Sequence, residues 1–454
     1  MSDFFAAVAL LPEGWARDVR ITVDEAGTIT GVTPGEAPHD AQILNGPVVP
    51  GMANLHSHAF QRALAGRLER MGNDEDSFWT WRRGMYEFVR GLEPDDVETI
   101  AAQTYVEMLE GGYTSVGEFH YLHHTRAGNR YRRRTEMADR LIAAARAVRI
   151  GMTLLPVLYE RGGNEQARFV MTVDEFVELW DELATAYGGE PDVRLGAAPH
   201  SLRAVSPQGL IKLQQALATR DARMPLHIHV AEQKKEVDDC VAAFGETPVS
   251  LLLRLAEPSF RWTFVHATHV RPAEVEALAA ARFVVALCPT TEANLGDGVF
   301  PADAFVKAGG AFGIGSDSHV TLDVAAELRL LEYGQRLLER RRNVLCTREI
   351  PSVGEFLYRS AASAGAYSLG RNIGALARGA SADFVVLESL APALAIRDRT
   401  LILDGFVFTG GAQTIRDVFV GGRLVVEYGR HIRRDEIAER YRETLMRLAT
   451  RGRT

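Results

Sequence analysis

Apolar residues follow two different rhythms along this chain. Up to about Leu44 they alternate with polar ones in short stretches such as RDVRITVDEAGTITGVTP, with Gly27 and Gly31 at expected turns. The same alternation returns late, in SADFVVLESL and RDVFVGGRLVVEYGR, where Gly421 and Gly422 mark a hairpin. Alternation with a period of two belongs to strands with one buried face. Both ends of the chain are therefore expected to be β-structure, and the simplest arrangement is one small β-sandwich domain assembled from the two termini.

Between them the pattern changes to continuous apolar runs. Eight can be counted: VVPGMANLHSH, TSVGEFHY, RIGMTLLPVLY, VRLGAAPHS, MPLHIHVAE, FRWTFVHATH, FVVALCPTT and AFGIGSDS. Helical patterns separate them, among them TVDEFVELWDELATAYGG with a Thr172 to Glu175 capping box, and SPQGLIKLQQAL with Ser206 as cap and Pro207 at the first helical position. Unbroken apolar strands with helical crossovers imply a parallel sheet covered on both faces, and eight of them imply a (β/α)8 TIM barrel. An open doubly wound sheet is the alternative, but no glycine-rich phosphate loop follows any run. The expected organisation is residues 1–47 and 371–430 in the small β-domain, 48–370 in the barrel, and 431–454 as a C-terminal helix. In that helix Ile437, Tyr441, Leu445 and Leu448 form one packing stripe.

Composition narrows the function classes. The 454 residues are ordinary for a globular protein, with a formal net charge of −8 from 59 acids and 51 bases. No basic run interleaved with aromatics appears, so a nucleic-acid partner is not expected. Cys240, Cys288 and Cys346 are few, odd in number and far apart, which fits a reducing compartment rather than a disulfide framework. The N-terminus lacks a basic region before its short apolar run, and Pro12 with Gly14 ends that run early. Neither a secretory signal nor a membrane span is expected, and the cytoplasm is the default.

Polar chemistry collects at the ends of the runs. His56 and His58 close the first run, and residues two apart in a strand project from the same face. Taken alone they are equally a solvated pair at a strand end, so further ligands are required. The fifth run ends with His227, His229 and Glu232, the sixth with His266 followed by His269, and the eighth with Asp317. Eleven of the thirteen histidines lie between His56 and His319, most of them at these ends, and barrel active sites form where strands end. Imidazoles and one carboxylate converging on a barrel mouth can hold Zn²⁺ or Fe²⁺ and leave a position for water. In isolation Asp317 would be a turn residue after Gly315, and Glu232 a solvated carboxylate at a helix start.

The His-x-His at the first strand, the His229-x-x-Glu232 at the fifth, His266 at the sixth and Asp317 at the eighth together resemble the amidohydrolase superfamily. GALARGASADFVVL, residues 374–387, is similar to the segment by which its members return from barrel to β-domain. The resemblance covers nearly the whole chain. It implies a metal held by His56, His58, His229 and Asp317, with Glu232, His266 and Asp317 as the catalytic groups. Members with two metals usually carry a bridging modified lysine at the end of the fourth strand. This chain has RLGAAPHSLR there, which implies one divalent metal ion per subunit, Zn²⁺ in the first place and Fe²⁺ as the alternative. His227 is given a structural role, and His123, His124, His269 and His319 are placed behind the ligands or at the surface.

SHAFQRALAGR, DSFWTWRRGMYEFV, GEFHYLHH and APHSLRAVSP resemble one branch of the superfamily, whose substrate is the linear amidine N-formimino-L-glutamate. By that resemblance Gln61, Arg82, Tyr121, His200 and Arg203 line the substrate pocket, ammonia is released by hydrolysis, and the enzyme is a homodimer. A small dicarboxylate substrate suits forked guanidinium donors. The long segment from Ala59 to Gly91 exceeds an ordinary connection and is expected to act as a lid. Two other readings stay open: a deaminase or chlorohydrolase acting on a nucleobase or other heteroaromatic ring, and a barrel that has kept the fold but lost catalysis.

Overall fold

The computed structural model describes residues 2–72, 76–395 and 398–451. Strands from both ends share one nine-stranded sheet. Its order runs Arg430–His431, Arg423–Glu427, Ile415–Val420, Phe384–Leu387, Val48–Pro50, Ser2–Leu11, Gly14–Val23 and Ile29–Thr33, with Gln42–Leu44 also pairing to Ser2–Leu11. The turn at Gly27, which joins two strands near one edge, meets the turn at Gly421 near the other. A Cβ on Gly27, where φ is +84°, would stand 2.7 Å from the Gly421 oxygen. The sheet must therefore curl over itself into two layers, and Phe4, Phe384 and Phe419 pack in the space between. Gly31, expected at a turn, lies inside the strand Ile29–Thr33.

The eight barrel strands are Met52–Ser57, Tyr113–His120, Gly151–Leu158, Val193–Leu195 continued by Ala198–Pro199, Pro225–Val230, Arg261–His266, Val284–Leu287 and Ala311–Ile314. All pairings are parallel, in two half-sheets. Parallel bridges Ser57 to Asp317, Ala197 to Leu226 and Ser201 to His229 join the halves and close the barrel. Every residue of the first, second, third and fifth strands is buried, as a sheet covered on both faces requires. Helices start where capping chemistry places them: the Thr172 hydroxyl accepts from the Glu175 backbone N–H, and the Ser206 hydroxyl from that of Gly209.

The first apolar run is not one strand. It breaks at Gly51, so that Val48–Pro50 pairs antiparallel with Phe384–Leu387 while Met52–Ser57 enters the barrel. A Cβ at Gly51 would lie 2.2 Å from the Thr114 hydroxyl, so the crossing passes too close to the second strand for any other residue. A second departure follows Leu387. The chain leaves the small sheet, and Ile402, Leu403, Phe406 and Val407 bury themselves in the barrel's own core before the sheet resumes at Ile415. The segment from Ala59 to Gly91 is also not bare loop: it holds a 3-10 turn, Ala59–Leu64, and a thirteen-residue helix, Phe78–Arg90. Residues 73–75 of the expected lid lie outside the described residues.

The C-terminal helix Arg434–Arg451 lies on the helix Pro94–Glu110, with Ile437 and Leu448 buried and Arg447 bonded to Asp96 at 2.5 Å. No helix among the described residues is long and apolar enough to cross a membrane.

The first and eighth strands approach closely at the barrel mouth. A Cβ at Gly315 would stand 2.9 Å from both the Cβ and the backbone N of His56, and 3.1 Å from the Cys288 sulfur. Gly315→Ala should therefore force the two strands apart. The expected cost is about 1–3 kcal/mol, read as a lower urea midpoint at unchanged slope. An unchanged midpoint would mean that the seam has slack.

Candidate active site

Three imidazoles meet at the mouth of the barrel. His56 Nε2 lies 3.1 Å from His58 Nε2 and 3.0 Å from His229 Nε2, and Asp317 Oδ1 stands 3.5 Å from His56 and 3.4 Å from His58. All four residues are buried. The strand period sets His56 and His58 on one face, and the closing bridge from Ser57 to Asp317 brings the eighth strand beside them. Asp317 takes up a φ of +46°, and its backbone N–H donates to His56 O at 2.9 Å. The same short stretches that close the barrel thus carry the converging side chains.

The protonation pattern follows from the partners. His58 Nδ1 donates to Phe119 O at 2.9 Å and His229 Nδ1 to His200 O at 3.1 Å, so each turns a bare Nε2 lone pair inward. Burial, reinforced by the neighbouring imidazoles, holds His56 and His229 well below the ordinary histidine value, and burial with His56 beside it holds His58 down at about 3. Neutral imidazoles are the form that binds a metal. Lone pairs facing each other at these distances repel unless a cation lies between them. The separations are close to the edge of about 3.3 Å expected for tetrahedral Zn²⁺ with nitrogen ligands. The donor set fits a divalent cation, and His56, His266 and Asp317 also bring ligand atoms together.

His266 has the opposite character. Its ring stacks on His229 at 5.6 Å, its Nδ1 lies 3.2 Å from Glu292 Oε1, and its Nε2 lies 3.8 Å from Asp317 Oδ2. Burial works against its charge, but the Glu292 hydrogen bond and the carboxylates of Glu232 and Asp317 outweigh it and push its pKa up to about 10. A charged ring beside Asp317 is suited to hold that carboxylate rather than to offer a lone pair to a cation. Behind the ligands, Asn54 bonds to Ser316, and Ser57 donates to Glu118 at 2.5 Å. Glu118, pushed up to about 7 by burial, also accepts from the Ala59 N–H.

Gln61, Arg82, Tyr121, His200 and Arg203 all line one pocket above this cluster, together with Glu232 and a wall formed by Phe78, Trp81, Met85, Phe169 and Leu295. Gln61 Nε2 donates to Tyr121 Oη at 2.9 Å. Arg82 donates to Tyr86 Oη at 2.5 Å and Tyr159 Oη at 3.2 Å. Arg203 donates from Nη2 to Glu232 Oε2 at 2.7 Å, and its buried Nε and Nη1 have no hydrogen-bond partner among the described residues. The expected lid supplies part of this wall through its helix.

The remaining histidines sort by their bonds. His227 turns away to Ser368 O at 3.1 Å, while His123 and His124 bond to the carbonyls of Val157 and Val170. His319 is no surface group: it is buried, bonded to Ser57 and Ser316 beneath the ligands. His269 is half-buried. Sequence reasoning passed over Glu292, Glu236 and Glu118. Glu236 sits four residues after Glu232, and Glu292 directly follows the seventh run, from which no residue was taken. Glu118 lies inside the second run, where a carboxylate in a buried strand is itself a signal.

Comparison with known proteins agrees with this geometry. The profile described as the Amidohydrolase family matches residues 48–425, and that described as Formimidoylglutamate deiminase HutF, N-terminal domain, matches residues 1–43. The chain is 47% identical over 452 residues to the formimidoylglutamate deiminase of Pseudomonas aeruginosa, covering 98% of this chain and 99% of that one. A crystal structure of an amidohydrolase from Brucella melitensis superposes with a TM-score of 0.93 at 44% identity, over 99% of this chain and 100% of that one. An adenosine deaminase from Xanthomonas campestris with bound zinc shares the fold, with a TM-score of 0.84 at 22% identity over 99% and 98% of the two chains.

Metal analysis of the purified protein checks the ligand geometry directly. The wild type should carry a divalent cation that His58→Ala and His229→Ala lose, whereas His227→Ala, whose ring turns away from the cluster to Ser368 O, should keep it. Equal metal content in all four proteins would show that the imidazole cluster is not the site.

Proposed function

The chain belongs to the amidohydrolase family, and we propose that it hydrolyses the formimino group of N-formimino-L-glutamate, yielding N-formyl-L-glutamate and ammonia. This is a step of histidine degradation. What carries the reading is a single pocket that joins a histidine and aspartate cluster to two guanidinium groups, in a chain similar along its whole length to a formimidoylglutamate deiminase. A nucleobase calls for stacking surfaces and amide-type hydrogen bonds. A dicarboxylate calls for cations, and Arg203 offers two buried donors with no hydrogen-bond partner among the described residues.

We assign one divalent cation, Zn²⁺ in preference to Fe²⁺, to His56, His58, His229 and Asp317. The lack of a lysine at the end of the fourth strand supports a single ion. When bound, the cation supplies hydroxide at neutral pH by lowering the pKa of a coordinated water to about 7. The chain's own groups do the rest. Arg82, Arg203 and His200 hold the glutamate end, which sets the formimino carbon over the cluster. Asp317, steadied by the charged His266, accepts the proton of the attacking water. Attack gives a tetrahedral carbon bearing two nitrogens, and Glu232 exchanges protons with the terminal one. Protonating that nitrogen breaks its bond to carbon and releases ammonia; protonating the other would release glutamate instead. Glu232 therefore sets the product as well as the rate. The free, mostly buried cysteines support a reducing compartment, in keeping with a cytoplasmic enzyme.

The test is ammonia release from N-formimino-L-glutamate by metal-loaded protein, with guanine and cytosine alongside. Turnover of the formimino substrate alone is expected, and Glu232→Gln should lower kcat by about 10²–10⁴-fold with the metal retained. Near-wild-type turnover by that variant would remove Glu232 from the mechanism. Turnover of a nucleobase instead would overturn the substrate assignment.

A further inference from the structure

Arg203 faces more acidic groups than its binding role requires. Its Nη2 donates to Glu232 Oε2 at 2.7 Å, and its Nε stands 3.8 Å from Glu236 Oε2, too far for a hydrogen bond. Nη1 is buried and has no hydrogen-bond partner among the described residues. Glu236 is itself only 2% exposed, accepts the Glu232 backbone N–H at 3.1 Å through Oε2, and leaves Oε1 buried and unpartnered. One guanidinium thus compensates two buried carboxylates, and only one of these has a part in the reaction.

This pairing constrains Glu232. The Glu232 oxygen that accepts from Arg203 at 2.7 Å is committed to that bond. A group that must carry a proton to the substrate is poorly served by such a partner. The unpartnered Nη1 adjoins Nη2, and together they form the end of the fork that grips a carboxylate with two bonds. A ligand carboxylate taking that end competes with Glu232 for Nη2.

We propose that Arg203 couples recognition of a substrate carboxylate to proton transfer by Glu232, with Glu236 as the positioning residue that makes the exchange possible. A carboxylate on the Nη1 and Nη2 end draws the guanidinium off Glu232, and Glu236 keeps it compensated and in place as it shifts. The inference rests on the deiminase reading of the pocket. It makes the carboxylate a switch as well as a handle, because an amidine without one meets a Glu232 still tied to Arg203. Such a substrate loses kcat, not only affinity.

The experiment compares kcat and KM of the metal-loaded full chain on N-formimino-L-glutamate and on N-formiminopropylamine, which keeps the amidine and lacks both carboxylates. For the wild type, kcat at saturation should fall by at least ~10-fold on the amine. Glu236→Gln should lower kcat on N-formimino-L-glutamate without raising KM, because Arg203 then rests wholly on Glu232. The same variant should leave the amine's kcat unchanged, and Glu236→Asp should recover part of the loss. Equal kcat on the two substrates in the wild type would overturn the coupling while leaving the deiminase reading intact, and this comparison decides the matter even if Glu236→Gln fails to fold. A Glu236→Gln effect confined to KM, or equal on both substrates, would also overturn it. A wild type that holds metal but does not act on N-formimino-L-glutamate would overturn the deiminase reading itself, and the coupling with it.

Discussion

The barrel mouth depends on keeping three neutral imidazoles and a carboxylate gathered around His56, each with an atom within 3.5 Å of its ring. Such groups do not gather by themselves. Burial costs each of them its hydration, and facing lone pairs repel. What holds them is backbone: the Ser316 and Asp317 N–H groups donate to His56 O, and the His58 N–H donates to Asp317 O. The first and eighth strands are therefore fastened at the very residues whose side chains converge. Gly315 lets them approach, and Asn54, Ser57, Glu118, Ser316 and His319 satisfy the polar groups behind them.

From this constraint follows the division of labour among the histidines. Burial alone would make every one of them neutral. His58 and His229 remain so under burial and the neighbouring imidazoles, and the carbonyls that accept from their Nδ1 N–H groups aim a lone pair at the centre. His266 differs because its Nδ1 meets a carboxylate, Glu292, and a ring held between carboxylates keeps its charge in spite of burial. Two stacked rings 5.6 Å apart thus differ in charge because one faces a peptide oxygen and the other a glutamate. The residue that makes the difference sits on the short helix after the seventh strand, far from either histidine in sequence.

That distance explains what could be read from the chain. The eight apolar runs, and the polar residues that end them, are visible because strand period and burial leave a local signature. The convergence of His56, His58, His229 and Asp317 is legible for the same reason. Glu292 and Glu236 lie on helices one turn beyond a strand or a motif, where a glutamate is statistically unremarkable. Their meaning comes from tertiary partners, His266 and Arg203, that no local pattern names. The break at Gly51 hid in an unbroken apolar run, since burial in the small sheet and burial in the barrel look alike in sequence. The excursion of Ile402 to Val407 into the barrel core was masked by the strands on either side of it.

The pocket above the histidine cluster continues the same economy of charge. Glu232 and Glu236 are both buried, and carboxylates taken out of water need a partner to offset the lost hydration. The only guanidinium hydrogen-bonded to Glu232 among the described residues is Arg203, which also lines the cavity. A group that stabilises the buried acids of the fold is thereby exposed to whatever anion enters. Recognition and proton transfer cannot then be independent, since any anion that attracts Arg203 changes the field at Glu232. A pocket built with an arginine paired only to ligand would bind a dicarboxylate equally well, but it would leave the proton-transferring acid indifferent to whether the right substrate had arrived.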